Sequence, residues 1–319
     1  MPPSTPPQQP TRRRALAYGS AAAATTLASC ASGAPDGSEE AWTRAVNGRI
    51  HQSVCLWPFE GSEWAWDLDT LCSHAADLGL ESVELLSPEQ WPVVRRHGLT
   101  CAIASNGMPA PPFAKGLNNL RYQAAVIEST KEVMDACSQE GIPSVIAFNG
   151  YKWHDAEVPA SGVISRDVGA RNFVAGLKVL AAYGEEKGVT VCLEMLNTRD
   201  DTHPMKGHPG YQGNDIEYCA DIIREVQSPR IKLLFDIYHV QIMNGDVIRR
   251  IRAMADLIGH VHTAGNPGRN ELHLKQEIHY PSVMEALVES GYRGYVGQAF
   301  IPTRDPLDSL AQAVRLCDV

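Results

Sequence analysis

The chain has 319 residues, 44% of them hydrophobic and 20% charged, with 28 Lys+Arg against 37 Asp+Glu and a formal charge of −9. That composition excludes wholesale disorder, and the acidic balance excludes general attraction to nucleic-acid phosphates. No run of about 18 or more apolar residues marks a membrane span.

The first ten residues are rich in Pro, Gln, Ser and Thr, and are followed by Arg12, Arg13, Arg14 and a mildly apolar run to Ala28. A basic start, a short apolar stretch and small residues before a cut describe an export signal over 1–29. The arginines resemble a twin-arginine signal, with Ala15 where that pattern prefers Phe. Leu27-Ala28-Ser29-Cys30 is similar to a lipobox, which implies acylation of Cys30. The expected location is therefore exported, either periplasmic or membrane-anchored through Cys30; a basic N-terminal helix is the alternative. Residues 30–48, with Gly33, Pro35 and Gly37, predict a linker. The seven remaining cysteines are scattered singly within apolar runs, which predicts buried free thiols rather than disulfides or zinc ligands.

From residue 49 to 319, short β-rich runs alternate with longer helical patterns. Strands are predicted at Ile50–Cys55, Ser82–Leu86, Thr100–Ser105, Ser144–Phe148, Val189–Met195, Ile231–Asp236, Ile258–Thr263 and Tyr295–Ala299. Helical stretches lie between them, and Gly79, Gly98, Gly141, Gly188 and Gly291 stand where a helix stops and the next strand begins. Eight such units predict a single-domain (β/α)8 barrel, a fold of about 250 residues. A doubly wound sheet lacks its GxGxxG turn here. In a barrel the strand C-termini converge on one mouth, so ionisable residues at those ends are the candidates for chemistry.

Three strands end in such residues. Glu194 closes Val191-Cys192-Leu193, Asp236 closes Leu233-Leu234-Phe235 with His239 three residues on, and His260 and His262 share a face of Gly259–Thr263. A carboxylate within an apolar strand needs a cationic or hydrogen-bonding partner. Glu194, Asp236 and His262 offer mixed oxygen and nitrogen donors that suit Mn²⁺, Mg²⁺ or Co²⁺; a hydrogen-bonded network without an ion is the alternative. Glu84, ending the second strand, is a further mouth candidate. Trp57, Phe59, Trp64 and Trp66 after the first strand either stack on a ligand or pack the loop. His203, His208 and Tyr211 lie in a long loop after the fifth strand.

The segments "CLEMLN", "FDIYHVQ", "GHVHTAGNPGR", "QEIHYP" and "GYVG" resemble the xylose isomerase-like barrel superfamily, especially the hydroxypyruvate isomerases and related sugar or keto-acid isomerases and epimerases. The resemblance spans residues 50–319. It implies one divalent ion held by Glu194, Asp236 and His262, with Glu194 also the catalytic base. It further implies substrate contacts from His239 and Arg269, and an enediolate-type proton transfer on a small hydroxy-carbonyl compound. His260, Trp57 and Glu277 are added as candidate substrate contacts. The family's fourth ligand, a Glu on strand eight, has no counterpart: Ala299 stands in its place, and Gln298 points to the opposite face. The expectation is an impaired isomerase whose partner is a small sugar or keto acid. Ala299 is then an engineered change, a natural loss, or a vacancy that Glu277 fills. The alternative is an exported metabolite- or carbohydrate-binding barrel without turnover. An endonuclease-like barrel would need many more His and acid ligands and a basic face.

Overall fold

The computed structural model describes residues 44–60 and 64–319. The expected export signal over 1–29, Cys30 and most of the expected linker lie outside the described residues. Within the linker's predicted bounds, Ala45–Asn47 is not a free tether. The Ala45 N–H donates to Leu78 O at 2.9 Å, the Val46 N–H to Asp318 Oδ2 at 2.9 Å, and Asn47 Nδ2 to Asp318 O at 2.9 Å.

The strands are β1 (His51–Cys55), β2 (Ser82–Glu84), β3 (Ser144–Phe148), β4 (Trp153–Asp155), β5 (Val158–Val163), β6 (Thr190–Glu194), β7 (Ile231–Asp236), β8 (Ile258–Thr263) and β9 (Tyr295–Gln298). Seven of them form one curled parallel sheet in the order β2-β1-β9-β8-β7-β6-β3, and β4 and β5 make a separate antiparallel hairpin. Helices follow most of the strands, as a TIM-barrel-like α/β fold requires. Among the described residues no helix is long and apolar enough to cross a membrane.

The expected third strand, Thr100–Ser105, is the main departure. It makes isolated parallel bridges to both open edges, Ser82 to Thr100 on one side and Ala104 to Val145 on the other. Serine hydroxyls interrupt its ladder: Ser82 Oγ accepts from the Ala102 N–H at 2.8 Å, and Ser144 Oγ donates to Ala102 O at 2.7 Å. Ala102 thus has both backbone groups satisfied without a regular strand partner. The segment still carries hydrogen bonds across the gap, including Val83 N to Thr100 O at 3.1 Å and Ala104 N to Ser144 O at 2.9 Å. The β4–β5 hairpin, absent from the sequence expectations, is solvent-exposed along β5 and carries Pro159 and Gly162, residues that ordinarily argue against a strand.

Strand alternation separates two cores. Val145, Val191, Leu193, Leu233, Phe235 and Val261 face outward into the large cluster shared with the helices. Ile146, Phe148, Cys192 and Leu234 face inward and pack with Ile103 in a second, smaller cluster. The β1, β2 and β8 side of the interior is instead polar, with Glu84, His260 and His262 all buried. The long helices Leu120–Glu140 and Arg166–Lys187 end on Gly141 and Gly188 in the left-handed region, as their positions before β3 and β6 predict. All seven cysteines among the described residues are free and buried.

Candidate active site

The strand register decides which ionisable groups meet. Asp236 and His262 are direct partners across β7 and β8, and Glu194 ends β6 on the other side of β7. One donor atom from each of Glu194, Asp236 and His262 lies within 4.8 Å of the other two. His262 Nδ1 is 3.4 Å from Glu194 Oε1. All three side chains are buried. They sit at the C-terminal ends of the strands, facing a cavity of about 330 Å³ to which Glu194 and His262 contribute directly. Trp57, Phe113 and Phe148 wall this cavity, and His208 and Arg269 complete its polar edge.

Arg269, in the loop after β8, is nearly fully buried. Its Nη2 donates to Asp236 Oδ2 at 3.3 Å, its Nε to Ala299 O at 3.2 Å, and its Nη1 to Met205 O. Its guanidinium lies 4.9 Å from the centre of the Trp57 ring, a cation–π geometry. Much of the fork expected to clasp a substrate is therefore already committed within the protein. Burial pushes the Asp236 carboxyl up, the Arg269 guanidinium pulls it down, and the neighbouring Glu194 carboxylate raises it again.

His239 follows Asp236 on the first turn of the helix Ile237–Met243, and the Asp236 side chain caps that helix through the His239 N–H at 3.1 Å. The backbone N–H of Asn197 donates to His239 Nδ1 at 3.2 Å, which fixes the ring proton on Nε2. That Nε2 has no hydrogen-bond partner and lies 3.7 Å from Asp236 Oδ2. Burial, then the positive field of Arg269, keeps the ring neutral by pushing its pKa far down. His239 is thus a buried donor held beside the carboxylate cluster.

The remaining candidates divide. Trp57 lines the cavity, whereas Phe59 stacks on Trp66 at 5.3 Å and packs on the core. His260 is not at the mouth. It lies one interior layer below His262, with Nε2 3.0 Å from Glu84 Oε1, and it lines a cavity formed by the N-terminal ends of the strands. Glu277 is likewise not brought to the cluster. It is exposed, accepts a hydrogen bond from Asn266 Nδ2, and borders a different, shallow depression, so it does not replace the missing strand-eight carboxylate. Ala299 offers only a methyl group, its N–H donating to Thr263 O at 2.9 Å. Gln298 faces outward as alternation predicts, with Nε2 3.3 Å from Gln52 Oε1 and 3.5 Å from Cys317 Sγ.

Two loop residues gain weight. The Tyr211 hydroxyl donates to Glu194 O at 2.9 Å and accepts from the Asn149 N–H at 2.7 Å, which ties the long loop to the end of β6. His208 packs its ring 4.2 Å from that of Phe113 at the cavity edge, while His203 is exposed. Glu84, singled out only as a mouth candidate, is the buried partner of both imidazoles of β8. Its sequence signal is a carboxylate set between Val83 and the apolar pair Leu85-Leu86.

A family description, the xylose isomerase-like TIM barrel, matches residues 72–317. The chain belongs to that family. Among its relatives, the 2-oxo-tetronate isomerase of Cupriavidus necator is 30% identical over 247 residues, covering 74% of this chain and 87% of that one. The hydroxypyruvate isomerase of Escherichia coli is 26% identical over 240 residues, covering 72% and 85%. A relative from Xenopus laevis matches at 33% over 138 residues, only 43% of this chain and 48% of its own length. In fold, the chain is similar to 3-keto-D-glucoside 4-epimerase from E. coli, with a TM-score of 0.67 at 19% identity over 84% of this chain and all of that one. It is also similar in fold to a family 2 AP endonuclease from Brucella melitensis, with a TM-score of 0.69 at 22% identity, covering 82% of this chain and 98% of that one.

His208 supplies a pH prediction. Burial, aided by Arg269, pushes its pKa from 6.5 down to about 3. The unfolded chain therefore takes up a proton below about pH 6.5 while the folded chain does not until about pH 3. Its contribution is complete above the unfolded value and is lost as the pH falls through that window, at up to about 1.4 kcal/mol per pH unit. Urea midpoints measured from pH 7.5 to 5 are expected to fall, and to fall less steeply in His208→Phe.

Proposed function

We propose that the chain is a divalent-ion-dependent isomerase or epimerase of a small hydroxy-carbonyl compound, a sugar or keto acid of the hydroxypyruvate and 2-oxo-tetronate kind, working with a reduced set of acid/base groups because of Ala299. The observation that carries this reading is the approach of Glu194, Asp236 and His262 to within 4.8 Å of one another beside a largely apolar cavity. Two relatives that align over more than two thirds of this chain are named as isomerases of such compounds.

The donor set fits an ion of the Mn²⁺, Mg²⁺ or Co²⁺ class: two carboxylates and one imidazole, with no thiolate among them. Three protein donors also leave coordination positions open to substrate oxygens. When bound, the ion would polarise the adjacent carbonyl and hydroxyl oxygens of the substrate and stabilise the negative charge that deprotonation creates. Glu194 would take the proton from one carbon and return it to the neighbouring carbon on the same face, whereas inversion at a single carbon would need a second donor on the opposite face, which Ala299 does not supply. Asp236 is occupied by Arg269 and the His239 N–H, which leaves Glu194 as the carboxylate disposed for this task. The His239 Nε2–H, without a partner in the protein, donates to a substrate oxygen. Trp57, Phe113 and Phe148 exclude water from the reacting atoms.

Calorimetry with Mn²⁺ on the chelator-treated protein tests the reading. One equivalent is expected to bind, with the loss of binding in Glu194→Gln and Asp236→Asn, and hydroxypyruvate in D₂O is expected to exchange its carbon-bound protons in the loaded protein. Absence of ion binding by the unaltered chain overturns it. The Ala299 methyl favours a second reading, a metabolite-binding barrel without turnover, which tight ligand binding with no proton exchange would select. Export through residues 1–29 with acylation of Cys30 belongs to the proposal as well, and mass spectrometry of the N-terminal peptide from membrane fractions tests it.

A further inference from the structure

Beneath the three mouth residues lies a polar group that none of the chemistry above uses. Glu84, the last residue of β2, is fully buried. Its Oε1 lies 2.7 Å from His262 Nε2, 3.0 Å from His260 Nε2 and 3.6 Å from Cys55 Sγ, while its Oε2 has no protein partner. His262 therefore has a carboxylate on each ring nitrogen: Glu84 on Nε2 and Glu194 on Nδ1.

The carboxylate fits there because β9 leaves a hole. Gly297 is the register partner of His262, and a Cβ at that position would stand 2.2 Å from Glu84 Oε1 and 3.0 Å from Oε2. No larger residue can occupy position 297 without driving Glu84 off its partners. A glycine on one strand and an acid two strands away in the sheet are thus a matched pair, with His262 beside both.

A neutral imidazole carries one proton, and the nitrogen in the shorter carboxylate contact keeps it; for His262 that is Nε2, 2.7 Å from Glu84 against 3.4 Å between Nδ1 and Glu194, which leaves Nδ1 as the lone-pair donor. We propose that Glu84 is a positioning residue: by accepting the Nε2 proton of His262, it presents His262 Nδ1 as a bare donor to an ion shared with Glu194 and Asp236, and Gly297 provides the space for it to do so. The inference rests on the ion-dependent reading above but is separable from it. Cys55, Glu84 and His262 could instead hold a second ion of their own, since their donor atoms also lie within 4.8 Å of one another. The direct 2.7 Å hydrogen bond between Glu84 and His262 favours the positioning role.

Titration with Co²⁺, followed by visible absorption and by calorimetry, separates these outcomes. The unaltered chain is expected to bind one equivalent. Glu84→Ala is expected to weaken binding by about 10–100-fold, the usual effect of losing a carboxylate behind a ligating histidine. The near-isosteric Glu84→Gln, which keeps the shape and one acceptor oxygen, is expected to recover part of that loss and serves if the alanine variant fails to fold. Gly297→Ala, which leaves every donor in place, is expected to weaken Co²⁺ binding in the same direction and to alter its absorption band. Wild-type affinity in folded Glu84→Gln and Gly297→Ala overturns the positioning role while leaving the ion site standing. A second equivalent of Co²⁺ that is lost in Cys55→Ser overturns it in favour of a second ion. Failure of the unaltered chain to bind Co²⁺ removes both this role and the ion-dependent reading beneath it.

Discussion

Replacing Ala299 by Glu is expected to raise kcat/KM for hydroxypyruvate isomerisation with Mn²⁺ by about 100-fold or more, because one positioned acid/base group contributes about 10²–10⁴-fold. The site is prepared for the added carboxylate. Position 299 lies just beyond β9, on the same strand face as Gly297, and its carbonyl is already held by Arg269 Nε at 3.2 Å. A carboxylate there would gain both the guanidinium and an ion ligated by Glu194, Asp236 and His262. The Co²⁺ or Mn²⁺ dissociation constant is therefore expected to fall alongside the gain in rate. Assays across hydroxypyruvate and several ketoses check the first expectation and calorimetry the second; no gain in either would argue that the site serves binding without turnover.

The second large effect concerns stability. Asp236 and Arg269 are both buried and paired at 3.3 Å. Removing one partner of a buried pair typically costs about 3–5 kcal/mol, because the other charge is left uncompensated. Asp236→Ala is expected to lower the unfolding free energy by that order, and Arg269→Met by a similar order. The double variant is expected to lose clearly less than the sum, since neither charge then remains buried alone. Urea unfolding of the four proteins in chelator checks this; strict additivity would mean that the carbonyls of Ala299 and Met205 satisfy Arg269 by themselves.

The parts of the site legible in the sequence were those whose signal is local. Glu194 and Asp236 each close an apolar run, and the alternation of His260 and His262 places both on one face of β8. What was not legible depends on pairings between strands far apart in the chain. That His260 sits a layer below His262, against Glu84, follows from the register of β1, β2, β8 and β9, and no spacing within β8 reveals it. The committed hydrogen bonds of Arg269 and the exposed place of Glu277 are set by loop conformations that residue type alone does not specify. The fold shows the same division. Seven strands announce themselves by β-branched and apolar runs, whereas Thr100–Ser105 carries the right residues but gives its backbone groups to Ser82 and Ser144, and the β4–β5 hairpin has no buried face to leave an apolar pattern.

The contacts of Val46 and Asn47 with Asp318 bring residue 44 and the end of the barrel chain side by side. Joining the two through a short flexible peptide would close the barrel chain into a ring without disturbing a single strand pairing, and the ring could be reopened after the exposed Glu157, between β4 and β5. Such a circular permutant of residues 44–319 should keep its native sheet order, so the sequence position at which synthesis begins is not itself part of what builds the site.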